Sequence, residues 1–169
     1  ALSFNDNCVL VRVWPASQAG LPARVETVPK LDYFEIRNSA TTTGAKNRNR
    51  LFVGRLGDSD TIVVSGTIGL RTGPGEEWVA VQNPIAYFGA SLEAALAEEG
   101  VEIDGTVAPA HGSPAGDWQL VTTYRSDLAR TLEVTNKRSQ NFYAESLAKL
   151  LGWKVRGEGS WAAGVGVVG

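Results

Sequence analysis

The chain has 169 residues, 43% hydrophobic and 20% charged, which is room for one compact domain or two small ones and lies outside the disordered, collagen-like and disulfide-scaffold ranges. Sixteen basic against eighteen acidic residues leave a net charge of -2, so no basic field is present to gather nucleic acid or an anionic membrane. The longest apolar run, Trp161 to Gly169 with its glycines counted, falls well short of the roughly 18 residues a membrane helix needs, and no signal-peptide pattern opens the chain.

The first half reads as strands. Cys8 to Trp14 is apolar except for Arg12, and Arg24–Val28, Phe34–Asn38, Leu51–Arg55, Thr61–Ile68 and Trp78–Gln82 are short segments rich in Val, Ile, Thr and aromatics. Gly20, Pro22, Pro29, Gly57-Asp58 and Gly73-Pro74-Gly75 punctuate them as turns. The expected product is a mainly antiparallel sheet or small barrel. One helix follows, about 84–99, with Asn83 as N-cap, Pro84 at the first helical position, Ile85, Phe88, Leu92 and Leu96 on one face, and Gly100 past its end.

From Val101 to Asp117 periodicity is lost and Pro, Gly and Ala accumulate, which places a junction near Gly112–Asp117. Beyond it a short strand is expected at Trp118–Thr123, then a helix capped by Ser126 and carrying Leu128, Leu132 and Val134. A second helix opens just after Ser139, buries Leu147, Leu150 and Leu151, and ends at Gly152; a third begins near Ser160. The absence of methionine in a chain that opens at Ala1 and stops in an apolar stretch suggests an excised piece of a longer protein.

Metal and cofactor chemistry finds little purchase. One histidine, His111, and one cysteine, Cys8, give no zinc-ligand spacing. His111 reads as an exposed loop residue and Cys8 as a buried inert thiol. Asp58-Ser59-Asp60 lacks the glycine and terminal glutamate of a calcium loop and reads as a hairpin turn. Gly66-Thr67-Ile68-Gly69 and Gly73-Pro74-Gly75 lack the lysine of a phosphate loop. No metal and no cofactor is assigned.

Three strings mimic a serine acyl-transfer site: Ser146-Leu147-Ala148-Lys149 fits S-x-x-K, Ser139-Gln140-Asn141 fits S-x-N, and Arg71-Thr72-Gly73 is close to K-T-G. Eleven serines and eight asparagines make such strings common by chance, and Ser3-Phe4-Asn5 is a second S-x-N. Their order along the chain is the reverse of the expected one. Ser146 and Lys149 also fall in the helix that opens after Ser139 and so cannot face it across a cleft. These two strings, Ser146–Lys149 and Arg71–Gly73, are set aside. On the residues alone Ser139 and Asn141 are either a functional pair or simply an N-cap and a first-turn residue.

The setting of that pair is informative. The stretch Thr135-Asn136-Lys137-Arg138-Ser139-Gln140-Asn141-Phe142-Tyr143-Ala144-Glu145-Ser146-Leu147, followed by Gly159-Ser160-Trp161-Ala162-Ala163-Gly164, resembles the S-x-N region of the class C low-molecular-mass penicillin-binding proteins, which are serine D-alanyl-D-alanine carboxypeptidases/endopeptidases. Asn5-Asp6-Asn7-Cys8, Pro29 to Asn38, Val64-Ser65-Gly66 and Asn83 to Phe88 resemble successive blocks of the segment that family inserts between its first two motifs. Nearly the whole chain is thereby covered.

The resemblance implies an α+β chain. Residues 1–115 would be a β-rich inserted module, and residues 116–169 a helical part of the penicillin-binding catalytic domain, of the transpeptidase/β-lactamase-like kind. It also implies Ser139 as a proton relay and Asn141 as the binder of the substrate amide, with the nucleophile and K-T-G strand outside this piece, which alone would be inactive. Gln140 departs from the more familiar S-D-N. A peptidoglycan stem peptide is the implied substrate, β-lactams the implied ligands of the intact protein, and the cell envelope or periplasm the implied location. Nucleic acid and a membrane span in this piece are not expected, and oligomeric state is open. The alternative is a non-catalytic module that binds wall or a protein partner and retains the motif as a remnant.

Overall fold

The computed structural model describes residues 3–44, 49–108 and 116–169, and the chain divides into two compact units, Ala1–Ser113 and Pro114–Gly169. His111 and most of the junction expected at Gly112–Asp117 lie outside the described residues.

The first unit opens with a 3-10 turn, Asn5–Asn7, and runs through β1 (Cys8–Trp14), β2 (Arg24–Val28), β3 (Glu35–Asn38), β4 (Thr41–Thr43), β5 (Arg50–Arg55), β6 (Thr61–Gly69) and β7 (Gly75–Ala80) to helix α1 (Pro84–Glu98). The strands form two sheets. In the first, β1 lies between β2 and β7 and pairs antiparallel with both. Alternation along β1 sends Val9, Val11 and Val13 into the core and Leu10, Arg12 and Trp14 to the other face. In the second sheet the long strand β6 pairs antiparallel with β5 and, along its other edge, parallel with β3 and then β4.

The strand pairings are mainly antiparallel, as expected, and the parallel edge of β6 is the addition the residues do not announce. The parallel edge is one strand in two pieces, interrupted at Ser39–Ala40, where the Asn38 side chain turns back to accept from the Ala40 amide at 3.0 Å and donate to the Ala23 carbonyl at 2.7 Å. A run of three threonines carries no hydrophobic alternation, which is why β4 is invisible in the sequence. Opposite Leu51 on β5, Gly66 adopts φ +99, and a Cβ there would lie 1.9 Å from the Arg50 carbonyl oxygen, so the pairing of β5 with β6 requires glycine. Strand β7 lies slightly earlier than expected, at Gly75–Ala80 rather than Trp78–Gln82.

Helix α1 starts and stops as its residues dictate. The Asn83 side chain accepts from the Ala86 amide, Pro84 stands in the first turn, and Gly100 takes φ 78 past the end. Its buried face differs from the expected Ile85, Phe88, Leu92 and Leu96: Ile85 and Leu92 are exposed, and Tyr87 and Gly89 point inward. Tyr87 is fully buried, its ring 5.6 Å from those of both Phe4 and Phe34 and its hydroxyl donating to the Cys8 carbonyl at 3.2 Å. A side chain that is both large and polar-tipped wins the inward position because it reaches a backbone acceptor in β1 while filling core volume.

The second unit holds α2 (Leu128–Arg138), α3 (Asn141–Arg156) and α4 (Trp161–Val168). Residues 118–123 form no strand, and Trp118, Leu120 and Val121 are exposed. The cap of α2 is Asp127, accepting from the Arg130 amide at 2.7 Å, rather than Ser126. Ser160 caps α4 through the Ala163 amide. Helix α3 continues beyond Gly152 to Arg156, because Gly152 serves a crossing rather than an end. Its missing Cβ would lie 2.7 Å from the Gly164 amide nitrogen, and that of Gly164 2.3 Å from the Ala148 carbonyl oxygen. Backbone contact of α3 with α4 takes the place of the leucine packing expected there, and Leu150 and Leu151 are exposed.

Candidate functional site

The turn between α2 and α3 carries Ser139, Gln140 and Asn141. At the end of α2 the amides of Ser139 and Gln140 both close on the carbonyl of Thr135, the second at 3.1 Å. That pattern wraps the last turn of a helix around a residue in the left-handed region, a position glycine usually fills. Here Ser139 fills it, at φ 50 and ψ 45. Its backbone is therefore left-handed rather than extended as an N-cap would be. Gln140 stands in the cap position of α3 without a side-chain capping bond, and Asn141 is the first helical residue.

Both Ser139 and Asn141 are exposed, and neither side chain is hydrogen-bonded among the described residues. A hydroxyl and an amide thus stand open at one helix–helix turn. The neighbouring lysine does not activate the serine, because Lys137 donates to Glu133 at 2.7 Å and Arg130 meets the same carboxylate at 3.1 Å. These two partners, Lys137 first, hold the Glu133 carboxyl below its ordinary range.

The other two strings form no site. The Ser146 hydroxyl donates to the Phe142 carbonyl at 2.8 Å within α3, and Lys149 pairs with Glu145 at 2.6 Å. Serine and lysine are each occupied by their own helix. Thr72, in the K-T-G-like string, donates to the Gly69 carbonyl and to Asn49 in a turn. Asp60 is likewise structural: it accepts from the Tyr33 hydroxyl at 2.5 Å and from the Gln82 amide at 2.7 Å. Burial, and then that bond, push the Tyr33 phenol well above its ordinary value. Burial likewise raises the Cys8 thiol, keeping it protonated and poorly nucleophilic at neutral pH.

Residues 1–169 match throughout the D-Ala-D-Ala carboxypeptidase 3 (S13) family. The chain belongs to this family. An S13 relative, the D-alanyl-D-alanine carboxypeptidase of Actinomadura sp. (strain R39), is 35% identical over 166 residues, covering 96% of this chain and 30% of that protein. The chain therefore spans less than a third of that relative. Two crystal structures of penicillin binding protein 4 (dacB) from Haemophilus influenzae share the S13 chain's fold. One matches with a TM-score of 0.69 at 21% identity over 98% of this chain and 37% of its own. The other, complexed with a novel β-lactam, matches with a TM-score of 0.68 at 21% identity over 96% and 38%.

The left-handed backbone of Ser139 was not legible in the sequence. Nothing local marks it, since the usual sign of such a helix end is glycine or asparagine.

Proposed function

We propose that a full-length protein carrying this chain is a serine D-Ala-D-Ala carboxypeptidase/endopeptidase of the cell envelope, in which Ser139 relays a proton and Asn141 binds the substrate amide. The observation that supports this most is Ser139 itself. A serine held in the left-handed region costs stability that glycine would not, and such strain persists where a side chain is needed for chemistry. The exposed, unengaged hydroxyl is the group retained by that strain.

In the reaction, a serine oxygen supplied from outside these residues attacks the D-Ala carbonyl and passes its proton to a paired lysine. Collapse of the tetrahedral intermediate breaks the amide bond, and the departing D-Ala amine takes up a proton through the Ser139 hydroxyl. Water then hydrolyses the ester. Asn141 donates its amide N–H to the substrate's peptide carbonyl and so holds the scissile bond in line. Residues 1–115 are an inserted module in this reading, and 116–169 part of the catalytic domain. Peptidoglycan lies outside the cytoplasm, and the protein acts there. A β-lactam takes the substrate's place and acylates the same nucleophile.

Fluorescent penicillin, followed on a denaturing gel, tests the reading. The 169-residue chain is expected to stay unlabelled and a longer protein extended in both directions to label, with labelling strongly slowed by Ser139→Ala and Asn141→Ala. Labelling of the 169-residue chain that is lost in Ser146→Ala would overturn the site. A longer protein that never labels would favour a non-catalytic wall-binding module.

A further inference from the structure

The face of the first sheet that turns away from the core is ordered in rows. Side chains directly opposite one another on paired strands share a face. Leu10 stands between Val28 on β2 and Trp78 on β7, and the next row is Arg12 between Glu26 and Glu76. Trp14 follows, opposite Arg24. An apolar row thus lies beside a charged row on one flat surface. Two strand spacings carry the apolar row across about 10 Å, enough for two linked pyranose rings.

The charged groups brace one another. Arg12 Nε donates to Glu76 Oε1 at 2.7 Å, and Arg24 meets one oxygen of Glu26 at 3.1 Å. The indole N–H of Trp14 donates to the other Glu26 oxygen at 3.1 Å, and the Arg24 guanidinium lies 5.6 Å from the centre of that indole ring. Two cations and two anions cancel, so these rows offer no net charge to a charged ligand. The Arg12–Glu76 pair uses only Nε and one carboxylate oxygen, which leaves the terminal guanidinium N–H groups and the second oxygen for a ligand that both donates and accepts. Trp78 takes no part in the bracing. It is 57% exposed beside Leu10 at 7%, and among the described residues its ring meets no aromatic or cationic partner.

An open indole next to a fixed donor–acceptor pair matches a sugar, whose ring has an apolar C–H face and a rim of hydroxyls. A protein partner would have to desolvate both ion pairs to cover this face, and a nucleic acid finds no excess of cations for its phosphates. We propose that this face of the first unit binds an uncharged, extended oligosaccharide, with one pyranose ring stacked on Trp78 and its hydroxyls on Arg12 and Glu76. Under the function proposed above, on which this part of the identification rests, the ligand is the glycan strand of peptidoglycan, its acetamido methyl groups resting on the Val28–Leu10 end of the row. The first unit then holds the polymer that carries the stem peptides, by a surface separate from Ser139 and Asn141.

The test is a titration of the isotopically labelled 169-residue chain with the β-1,4-linked tetramer of N-acetylglucosamine, followed by amide chemical shifts, with α-1,4-linked maltotetraose as the curled, acetamide-free control. Shifts confined to 10–14, 24–28 and 75–80 are expected with the first sugar only. Trp78→Ala should weaken binding about tenfold or more, the worth of one ring stacked on an aromatic side chain, while Trp78→Phe keeps most of it. Arg12→Gln should weaken binding about fivefold, the scale of one hydrogen bond. No shifts, shifts centred elsewhere, equal binding of both sugars, or affinity unchanged in Trp78→Ala would overturn the proposal. So would shifts in the same strands on dilution without sugar, which would make the occupant a second copy of the chain. Loss of tetramer binding in a longer protein would also overturn it, the face then being covered by the rest of that protein. Because the readout needs no acylation, sugar binding without penicillin labelling of the longer protein sinks only the enzymatic reading, and labelling without sugar binding sinks only this one.

Discussion

Ser139 offers a perturbation in which stability and activity move in opposite directions. Replacing it by glycine removes the clash between Cβ and the following carbonyl oxygen, worth roughly 1–2 kcal/mol for an L-residue in the left-handed region. The extra freedom of glycine in the unfolded chain returns about 0.4–1 kcal/mol of that. The side chain is exposed and makes no hydrogen bond among the described residues, so nothing else is forfeited. Ser139→Gly is therefore expected to stabilise by about 0.5–1 kcal/mol, and Ser139→Ala, which keeps the Cβ, to stay within about 0.5 kcal/mol of the parent. Urea unfolding of the 169-residue chain, read by far-ultraviolet circular dichroism, measures this difference. In a longer, penicillin-reactive protein both variants should slow acylation by about a hundredfold or more, the usual worth of a proton-transfer group. A glycine variant no more stable than the alanine variant would refute the strain argument. A glycine variant that acylates at the parent rate would refute the relay.

Other outcomes follow from the packing and the charges. Tyr87→Phe should cost about 1 kcal/mol by removing the hydroxyl's bond to the Cys8 carbonyl, which keeps the Asn5 side-chain amide as its other donor, and Tyr87→Ala about 3–5 kcal/mol through the cavity it opens, both read from urea midpoints. Gly164→Ala puts a methyl 2.3 Å from the Ala148 carbonyl oxygen and should cost about 1–3 kcal/mol by forcing α3 and α4 apart, seen as faster amide exchange in both helices. Because Lys137 and Arg130 lower the folded pKa of Glu133, its contribution to α2 is present above the unfolded glutamate value, roughly pH 4.3. It is lost as pH falls through the folded value. Helicity followed through an acid titration should show a loss that Glu133→Gln or high salt flattens.

Where the sequence carried a physical signal with one solution, the structure follows it closely. β1 and β2 occupy the expected residues, and Asn83, Pro84 and Gly100 bound α1 because each satisfies a backbone group or angle that only a helix terminus presents. The inward face of the same helix differs from the one its apolar spacing predicts, since Tyr87 competes for burial through a hydrogen bond to β1 that no local pattern announces. β4 and its parallel pairing depend on β6, more than twenty positions away in register; periodicity does not report partners. Trp118–Thr123 has strand-like composition, yet among the described residues it has no partner strand, and composition alone forms no ladder. Gly152 has the look of a stop signal, and its role at the α3–α4 crossing is visible only once Gly164 is placed beside it. At the candidate site the residues Ser139 and Asn141 could be singled out, whereas the left-handed turn that presents the serine is a property of two amides sharing the Thr135 carbonyl.

The central position of β1 bears on how the first unit acquires its structure. The first strand of this unit is flanked by β2, close behind it, and by β7, in register from Cys8 opposite Ala80 to Val13 opposite Gly75. A β1–β2 hairpin alone leaves the valine face of β1 open along one edge, and an isolated pair of strands is marginal in water. The edge closes only after the whole second sheet and β7 have been made. Folding of this unit is thus governed by a loop closure of high sequence separation, which places it among slow-folding topologies and keeps an unpaired, valine-rich strand edge exposed during synthesis. A chain interrupted before Gly75 would be captured in that aggregation-prone state, and in pulse-labelling exchange experiments the amides that β1 shares with β7 should be among the last to gain protection.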